Sequence, residues 1–174
     1  MKDISVYISE ALNESVFDKD LFEKDPVNCN PNDKRELIRT LSDYVSLMKP
    51  KKGSTIDLNW INTSKVEDLG GLADIFKDYN IDVSKWDVSG VTNFAQAFAK
   101  MKLFDCDLSK WDVSSGKYFA GMFKQCKSFT GQGLDEWNID PHANIYQMFQ
   151  GTDKLKALPE WYQKQFGDKK QRNP

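Results

Sequence analysis

All five tryptophans of this 174-residue chain fall at nearly even intervals. Trp60, Trp86, Trp111, Trp137 and Trp161 are separated by 26, 25, 26 and 24 residues. Spacing of this kind indicates stacked repeat units, because a unit this short cannot bury its apolar face alone and needs a neighbour on each side. We therefore expect a repeat array over residues 55–162, with atypical units at its two ends.

Other residues recur in register with the tryptophans. Segment 108–114 (Leu-Ser-Lys-Trp-Asp-Val-Ser) nearly copies segment 83–89. Phe98, Phe123 and Phe149 each follow a tryptophan at one constant interval. The first unit departs from this pattern, since Phe76 follows Trp60 at a longer interval, which predicts an insertion near 67–71. We expect the repeat core to consist of the five tryptophans and of Phe98, Phe123 and Phe149.

Two local patterns alternate within each unit. Apolar and polar residues alternate around Trp86 and Trp111, which is typical of a short, half-buried strand. Apolar residues then recur at intervals of three and four over 93–100, 118–124 and 145–150, which predicts a helix of about two turns in each unit. The sequence therefore predicts an α+β repeat, a short solenoid of about four units with one short strand and one short helix per unit.

The repeated residues resemble the bacterial surface protein 26-residue repeat family, which is related to leucine-rich repeats. The resemblance is carried by the segment 86–94 (Trp-Asp-Val-Ser-Gly-Val-Thr-Asn-Phe) and by the Met-Phe pairs at 122–123 and 148–149. It implies a curved, leucine-rich-repeat-like solenoid that acts as an adhesion or binding scaffold without catalytic residues. Surface members of that family carry export signals, and residues 1–15 do not have the pattern of a secretory signal peptide.

The first fifty residues lack the repeat. Six apolar residues at helical spacing predict a helix between Asp33 and Pro50: Leu37, Ile38, Leu41, Tyr44, Val45 and Met48. We expect an N-terminal helical segment at 1–50, a linker at 51–54, the solenoid at 55–162 and a basic tail at 163–174.

A second apolar stripe, formed by Ile4, Tyr7, Ile8 and Leu12, predicts a shorter helix near the N-terminus. Segment 4–12 resembles the N-terminal peptides that dock tailed-phage proteins into the head or tail assembly. These four residues are therefore our candidate docking helix. The alternative is that this helix packs on the second helix or caps the first repeat unit.

Composition argues against several classes of function. The net charge of −2 gives no electrostatic reason to expect nucleic-acid binding. No apolar stretch is long enough for membrane insertion as a transmembrane helix. His142 is the only histidine, and the spacing of Cys29, Cys106 and Cys126 fits no zinc or redox motif. We therefore predict no catalytic residues, no cofactor and no metal, and hence no enzyme.

Two recurring features leave alternatives open. Asp82, Asp87, Asp107, Asp112 and Asn138 recur once per unit, so they either form a ladder that binds a cation such as calcium or hold turns within each unit. The tryptophans either offer stacking platforms for sugars or bases or form the core. Flanking valines and leucines favour the core.

The combined interpretation is a non-catalytic scaffold, structural or binding, with a protein partner and an undetermined oligomeric state. The docking-like N-terminus favours a phage-encoded protein, either a virion component or an inhibitor that binds a host protein, located in the virion or the host cytoplasm. The first alternative is a bacterial surface adhesin-type repeat protein. The second alternative, an enzyme, has no catalytic constellation to support it.

Overall fold

The fold is that of a computed structural model, which describes residues 30–166. Turns and other irregular segments make up most of this range, and apart from one longer helix the regular elements are short. In chain order the elements are α1 (Lys34–Met48), β1 (Thr55–Asp57), α2 (Ala73–Phe76), β2 (Asn80–Asp82), a 3₁₀ helix (Leu134–Glu136) and α3 (Glu160–Phe166).

Parallel pairing recurs at a nearly constant interval. β1 pairs with β2 so that Thr55 lies opposite Asn80. Isolated parallel bridges then join Asp68 to Asn93, Asn93 to Tyr118, and Tyr118 to Asn144. Each partner lies one repeat length further along the chain, so the backbone returns to the same edge after every interval. We call the resulting segments unit 1 (55–79), unit 2 (80–104), unit 3 (105–130) and unit 4 (131–155).

Neighbouring units are joined by a row of backbone hydrogen bonds that we call the amide ladder. In unit 2 the N–H groups of Phe94, Gln96, Phe98 and Lys100 donate to the carbonyls of Tyr118, Ala120, Met122 and Lys124 at 2.7–3.0 Å. In unit 3 the N–H groups of Phe119, Gly121, Phe123 and Gln125 donate to the carbonyls of Asn144, Tyr146, Met148 and Gln150 at 2.7–2.9 Å. Four bonds therefore hold each of these unit pairs together along one edge.

The helices expected at 93–100, 118–124 and 145–150 are not present, and overlapping turns replace them. The N–H of Ala97, for example, bonds to the carbonyl of Phe94 at 3.1 Å. Gln96 and Lys100 have positive φ angles of 57° and 65°, which an α-helix of L-residues does not accommodate. In this chain of turns every second N–H, at 94, 96, 98 and 100, bonds to the next unit and forms the ladder, and two of these four residues are left-handed.

The strands expected around Trp86 and Trp111 are also placed differently. β2 ends at Asp82, and a turn follows in which the N–H of Trp86 bonds to the carbonyl of Val83 at 3.1 Å. The turn begins at Asp82 because its carboxylate accepts a 3.0 Å hydrogen bond from the N–H of Ser84. The tryptophan therefore follows the strand instead of lying on it.

Unit 1 contains no insertion. The offset between units 1 and 2 is the same at the strands, where Thr55 pairs with Asn80, and at the Asp68–Asn93 bridge. Ala73 is therefore the counterpart of Phe98, and Phe76 is the counterpart of Met101. The sequence comparison misaligned this unit because it matched aromatic residues to one another, although unit 1 carries an alanine at the phenylalanine position.

α1 covers the unit 1 end of the array. Asp33 begins the helix by accepting hydrogen bonds from the N–H groups of Arg35 and Glu36 at 2.8 and 3.0 Å. Leu37 and Leu41, on the predicted apolar stripe, are fully buried in the same core cluster as the units. The Lys34 ammonium lies 3.1 Å from the Asp68 carboxylate and ties the helix to unit 1.

Candidate interaction surface

Four of the tryptophans fasten one unit to the unit before it. The indole N–H groups of Trp86, Trp111 and Trp137 donate to the backbone carbonyls of Leu58, Val83 and Leu108 at 2.8, 3.0 and 3.1 Å. Trp161 lies in α3, yet its N–H reaches the carbonyl of Leu134 at 2.7 Å in the same way. Trp86, Trp111 and Trp137 are only 3–4% exposed, which leaves no ring face open for stacking on a ligand.

Trp60 does not belong to this row. Its N–H donates to the carbonyl of Asp57 within its own unit, and its ring packs 5.7 Å from that of Tyr44 on α1. Ile61 occupies the position equivalent to Trp86, since its N–H bonds to the carbonyl of Leu58. The even spacing of the first two tryptophans therefore conceals a shift of one residue, and Trp60 links α1 to unit 1.

The phenylalanines form rows that run across the units. The Phe98 and Phe123 rings lie 5.8 Å apart, and the Phe123 and Phe149 rings 5.7 Å apart, both stacked. A second row pairs Phe94 with Phe119 at 5.0 Å. All five of these rings are buried, so the row predicted from the constant interval after each tryptophan lies together in the core.

The recurring aspartates act on their own backbone turns. The carboxylates of Asp87, Asp107 and Asp112 each accept the N–H of the serine two residues later, at 2.9–3.1 Å. Hydrogen bonds from the side chain and backbone of Ser114 lower the pKa of Asp112. This geometry favours the turn-holding alternative over a cation ladder.

Asp82 belongs to the same recurring set, and Asn138 is exposed. Burial acts to raise the pKa of Asp82, but hydrogen bonds from Ser84, Asn59 and Cys106 outweigh it and lower the pKa overall. Within residues 30–166, no three His, Cys, Asp or Glu side chains are placed so that they could hold a metal ion together.

The two described cysteines are buried. Burial raises the pKa of both Cys106 and Cys126 to about 12, so both are neutral thiols near pH 7. The Cys126 thiol lies 2.9 Å from the carbonyl of Phe98 in the preceding unit and donates to it. Cys29 lies outside the described residues. His142 is exposed in a turn whose backbone N–H bonds to Asp140 at 2.7 Å.

The outward side of the amide ladder differs from unit to unit, whereas the inward side is uniformly apolar. Equivalent inward positions hold Leu69, Phe94, Phe119 and Ile145. The outward position just before each of these holds Asp68, Asn93, Tyr118 and Asn144. The outward position just after them holds Gly70, Ala95, Ala120 and Tyr146.

Tyr118 and Tyr146 are 53% and 56% exposed. With Leu103 they are the exposed large hydrophobic side chains among residues 30–166. We call the two tyrosines and the ladder edge between them the tyrosine face. Neither tyrosine was predicted from the sequence. Each stands where the other units carry Asp, Asn, Gly or Ala, and the contrast becomes visible only when the units are aligned at the correct offset.

A row of lysines also recurs at the repeat interval, but carboxylates pair with most of it. Lys52, Lys77 and Lys127 form ion pairs of 2.7, 2.8 and 3.0 Å with Asp78, Asp74 and Asp153. These pairs are exposed, so each contributes little to stability. They do offset the positive charge of the row, and we therefore place the candidate surface at the tyrosine face.

The repeated region of the chain matches a known protein family. Residues 42–161 match the family described as "Mycoplasma protein of unknown function, DUF285". The chain belongs to the DUF285 family. The match begins within α1 and ends at Trp161, so the DUF285 region contains all four units together with parts of the helices at both ends. No curated protein and no solved structure matches the chain.

The candidate docking residues Ile4, Tyr7, Ile8 and Leu12 lie outside the described residues. Between residues 30 and 166, none of the helices combines the length and the apolar character needed to cross a bilayer.

Proposed function

We propose that this DUF285 protein is a non-catalytic scaffold, a short solenoid that binds a protein partner through its tyrosine face. The observation that carries the proposal is the contrast across the amide ladder. Inward positions are apolar in every unit, while outward positions change from Asp68 and Asn93 to Tyr118 and Asn144. Arrays that bind partners use this division, because the inward residues specify stacking and the outward residues are free to specify a ligand.

The recurring polar groups support the same proposal. The indole N–H groups bind carbonyls of the preceding unit, and the aspartates bind the turns of their own unit. These groups are already committed to holding the array together. Specific recognition then depends on residues that are not repeated at the equivalent position of the other units. Among these, Tyr118 and Tyr146 expose the largest rings.

Tyrosine suits this role on physical grounds. Its ring contributes a large contact area at a low cost in side-chain entropy, and its hydroxyl offers a hydrogen bond at the rim. Tyr118 and Tyr146 lie in neighbouring units and are offset by two positions along the ladder, which is a diagonal within reach of one bound segment.

The proposal is tested by affinity capture from lysate of the native host, followed by mass spectrometry. The Tyr118→Ser/Tyr146→Ser variant is compared with the unchanged chain and with a control that alters two other exposed residues, Lys110→Ser/Asp135→Ser. We expect the unchanged chain and the control to enrich the same protein, and the tyrosine variant to lose at least tenfold of that signal, roughly the effect of a 1.4 kcal/mol loss. Equal capture by all three chains, or no enrichment by any, overturns the proposal.

The family membership is relevant to where the protein acts, at the bacterial surface or as part of a phage. The DUF285 description names a Mycoplasma protein, which supports the bacterial surface alternative, an adhesin-type protein, over a phage virion component or inhibitor. Antibody labelling of intact cells tests this setting against labelling of lysed cells as the control. Signal on intact cells is the expected result, and signal that appears only after lysis rejects the surface location.

A further inference from the structure

The peptide groups of the amide ladder all point the same way. The carbonyl of Tyr118 accepts the N–H of Phe94 from unit 2, and the adjoining N–H of Phe119 donates to the carbonyl of Asn144 in unit 4. The other columns of the ladder repeat this arrangement. Within the ladder, each unit therefore presents carbonyls to the unit before it and N–H groups to the unit after it.

Unit 4 carries the equivalent N–H groups, and no later unit follows them within the part of the chain that the structure describes. The equivalents of the unit 3 donors are the N–H groups of Ile145, Gln147, Phe149 and Gly151. Among residues 30–166 these four groups have no hydrogen-bond acceptor. Ile145 and Gln147 are half-buried and Gly151 is exposed, whereas their unit 3 counterparts Phe119 and Gly121 are buried. An unpaired row of this kind is a ready template for pairing with another chain.

α3 packs against the core of unit 4 at the middle of this row. The Tyr162 ring packs edge-on against Phe149 at 5.4 Å, and Trp161 bonds to the carbonyl of Leu134. These contacts cover the apolar centre of unit 4, where Phe149 is buried. On both sides of Phe149 burial is lower: Ile145 and Gln147 are half-buried, Gly151 is exposed, and the ring of Tyr146 between them is exposed.

We propose that the N–H groups of Ile145, Gln147 and Gly151 form a docking edge for a segment of another protein, which pairs in parallel and presents main-chain carbonyls at alternate positions. The packing of unit 4 on unit 3 supplies the template, because the docked segment continues an interface that already repeats within the chain. This inference rests on the proposed scaffold function and names where its partner pairs.

The geometry also limits what can dock. A second copy meeting this edge with its own unit 4 brings donors against donors, which leaves both rows unpaired. A second copy meeting it with unit 1 is obstructed, because α1 covers that end and buries Leu37 and Leu41 there. The occupant is therefore a segment whose carbonyl side is uncovered.

A titration monitored by nuclear magnetic resonance tests the docking edge. The full chain, labelled with ¹⁵N, is titrated with a synthetic peptide of residues 142–152, the sequence that fills the equivalent edge of unit 3. We expect the amide signals of Ile145, Gln147 and Gly151 to shift and their hydrogen exchange to slow by about tenfold or more at saturation. The amide of Tyr146, already bonded to the Asn144 side chain, is the internal control and keeps its exchange rate.

A peptide of the same composition in scrambled order is the matched control. Equal shifts with the scrambled peptide, or no shift with the native one, overturn the docking edge. So does slow exchange of the three amides in the free chain at the rate of Phe119 and Gly121. If capture through the tyrosine face succeeds while the peptide fails, only the docking edge is rejected and the proposed function stands.

Discussion

The indole N–H of Trp111 lies 3.0 Å from the backbone carbonyl of Val83, one unit earlier in the chain. The same carbonyl also accepts the backbone N–H of Trp86 at 3.1 Å. One oxygen thus closes a turn in its own unit and holds the side chain of the next. The local turn and the stacking of units therefore depend on the same backbone geometry.

Trp111→Phe removes this hydrogen bond and part of a buried ring while leaving the turn intact. We expect the free energy of unfolding to fall by about 2 kcal/mol, from one lost hydrogen bond and a small cavity. Trp60→Phe is the control, because Trp60 is only partly buried and bonds within its own unit. Urea denaturation measures both variants, and equal losses would contradict the role assigned to the inter-unit bond.

Gly133→Ala is expected to be far more disruptive than Gly53→Ala. Both glycines have positive φ angles, 86° and 84°, so alanine costs each about 1 kcal/mol in backbone strain. A Cβ at Gly133 would also collide with the backbone of Leu108 and Ser109 in unit 3, whereas a Cβ at Gly53 meets open space. We expect a loss of about 3 kcal/mol or more at Gly133, measured by thermal and urea unfolding. Similar losses at both sites would show that units 3 and 4 are not in close backbone contact.

The hydrogen bonds that lower the pKa of Asp112 make its contribution depend on pH. Because the folded pKa lies below the unfolded value, this contribution is present above the unfolded pKa and is lost as the pH falls through the folded pKa. Asp112→Asn should reduce the loss of stability below about pH 4, since an uncharged acceptor replaces the carboxylate. The chain already uses this solution at the equivalent Asn62, whose side chain accepts the N–H of Ser64.

Urea midpoints between neutral and acidic pH measure the effect. Asp112→Ala is the second variant, and it should lower stability at neutral pH by less than about 1 kcal/mol because the site is exposed. An Asn variant as sensitive to acid as the unchanged chain would show that Asp112 does not contribute to the acid response.

Cys106 and Cys126 should resist alkylation in the folded chain. Burial raises the pKa of both thiols to about 12 and also limits access to them. We expect iodoacetamide to modify them on the order of a hundredfold more slowly in native buffer than in denaturant, because the thiolate is the reacting species. Peptide mapping by mass spectrometry follows each cysteine separately. Fast modification of Cys126 in the native chain would contradict its burial between units.

The spacing of the tryptophans predicted a repeat over residues 55–162, but it aligned two residues of unit 1 wrongly. Trp60 matched the interval although Ile61 holds the equivalent position, because a count of one residue type cannot detect a shift of one residue. Phe76 was likewise matched to Phe98, although the residue of unit 1 that is equivalent to Phe98 is Ala73. The backbone pairings of Thr55 with Asn80 and of Asp68 with Asn93 reveal the constant offset in unit 1.

The turns of the amide ladder were predicted as helices for a different reason. Overlapping turns and short helices both bring residues three and four apart to the same side, so the spacing of Phe94, Ala97 and Phe98 fits either structure. The sign of φ distinguishes the two structures, and a glutamine such as Gln96 gives no indication in the sequence that its φ is positive. Gly121, at the equivalent position with φ of 64°, was the available signal, since glycine inside a short helix is unfavourable.

The exposed tyrosines could not be found without the correct register. Tyr118 and Tyr146 stand out only when their counterparts Asn93 and Ala120 are known. α1 was simpler, because Asp33 and the stripe around Leu37 and Leu41 are local signals that need no long-range alignment.

Because the offset between units 1, 2 and 3 is constant, the number of units can change without any change to α1 or α3 at the two ends of the array. Joining Ile81 directly to Asp107 removes the segment 82–106, one whole repeat, and presents the same strand end and turn that follow Ile81 now. α1 would still rest on unit 1, and α3 on unit 4. Gain or loss of whole units is therefore the change in size that this architecture accommodates most readily, and each added unit widens the area available for recognition without redesign of either terminus.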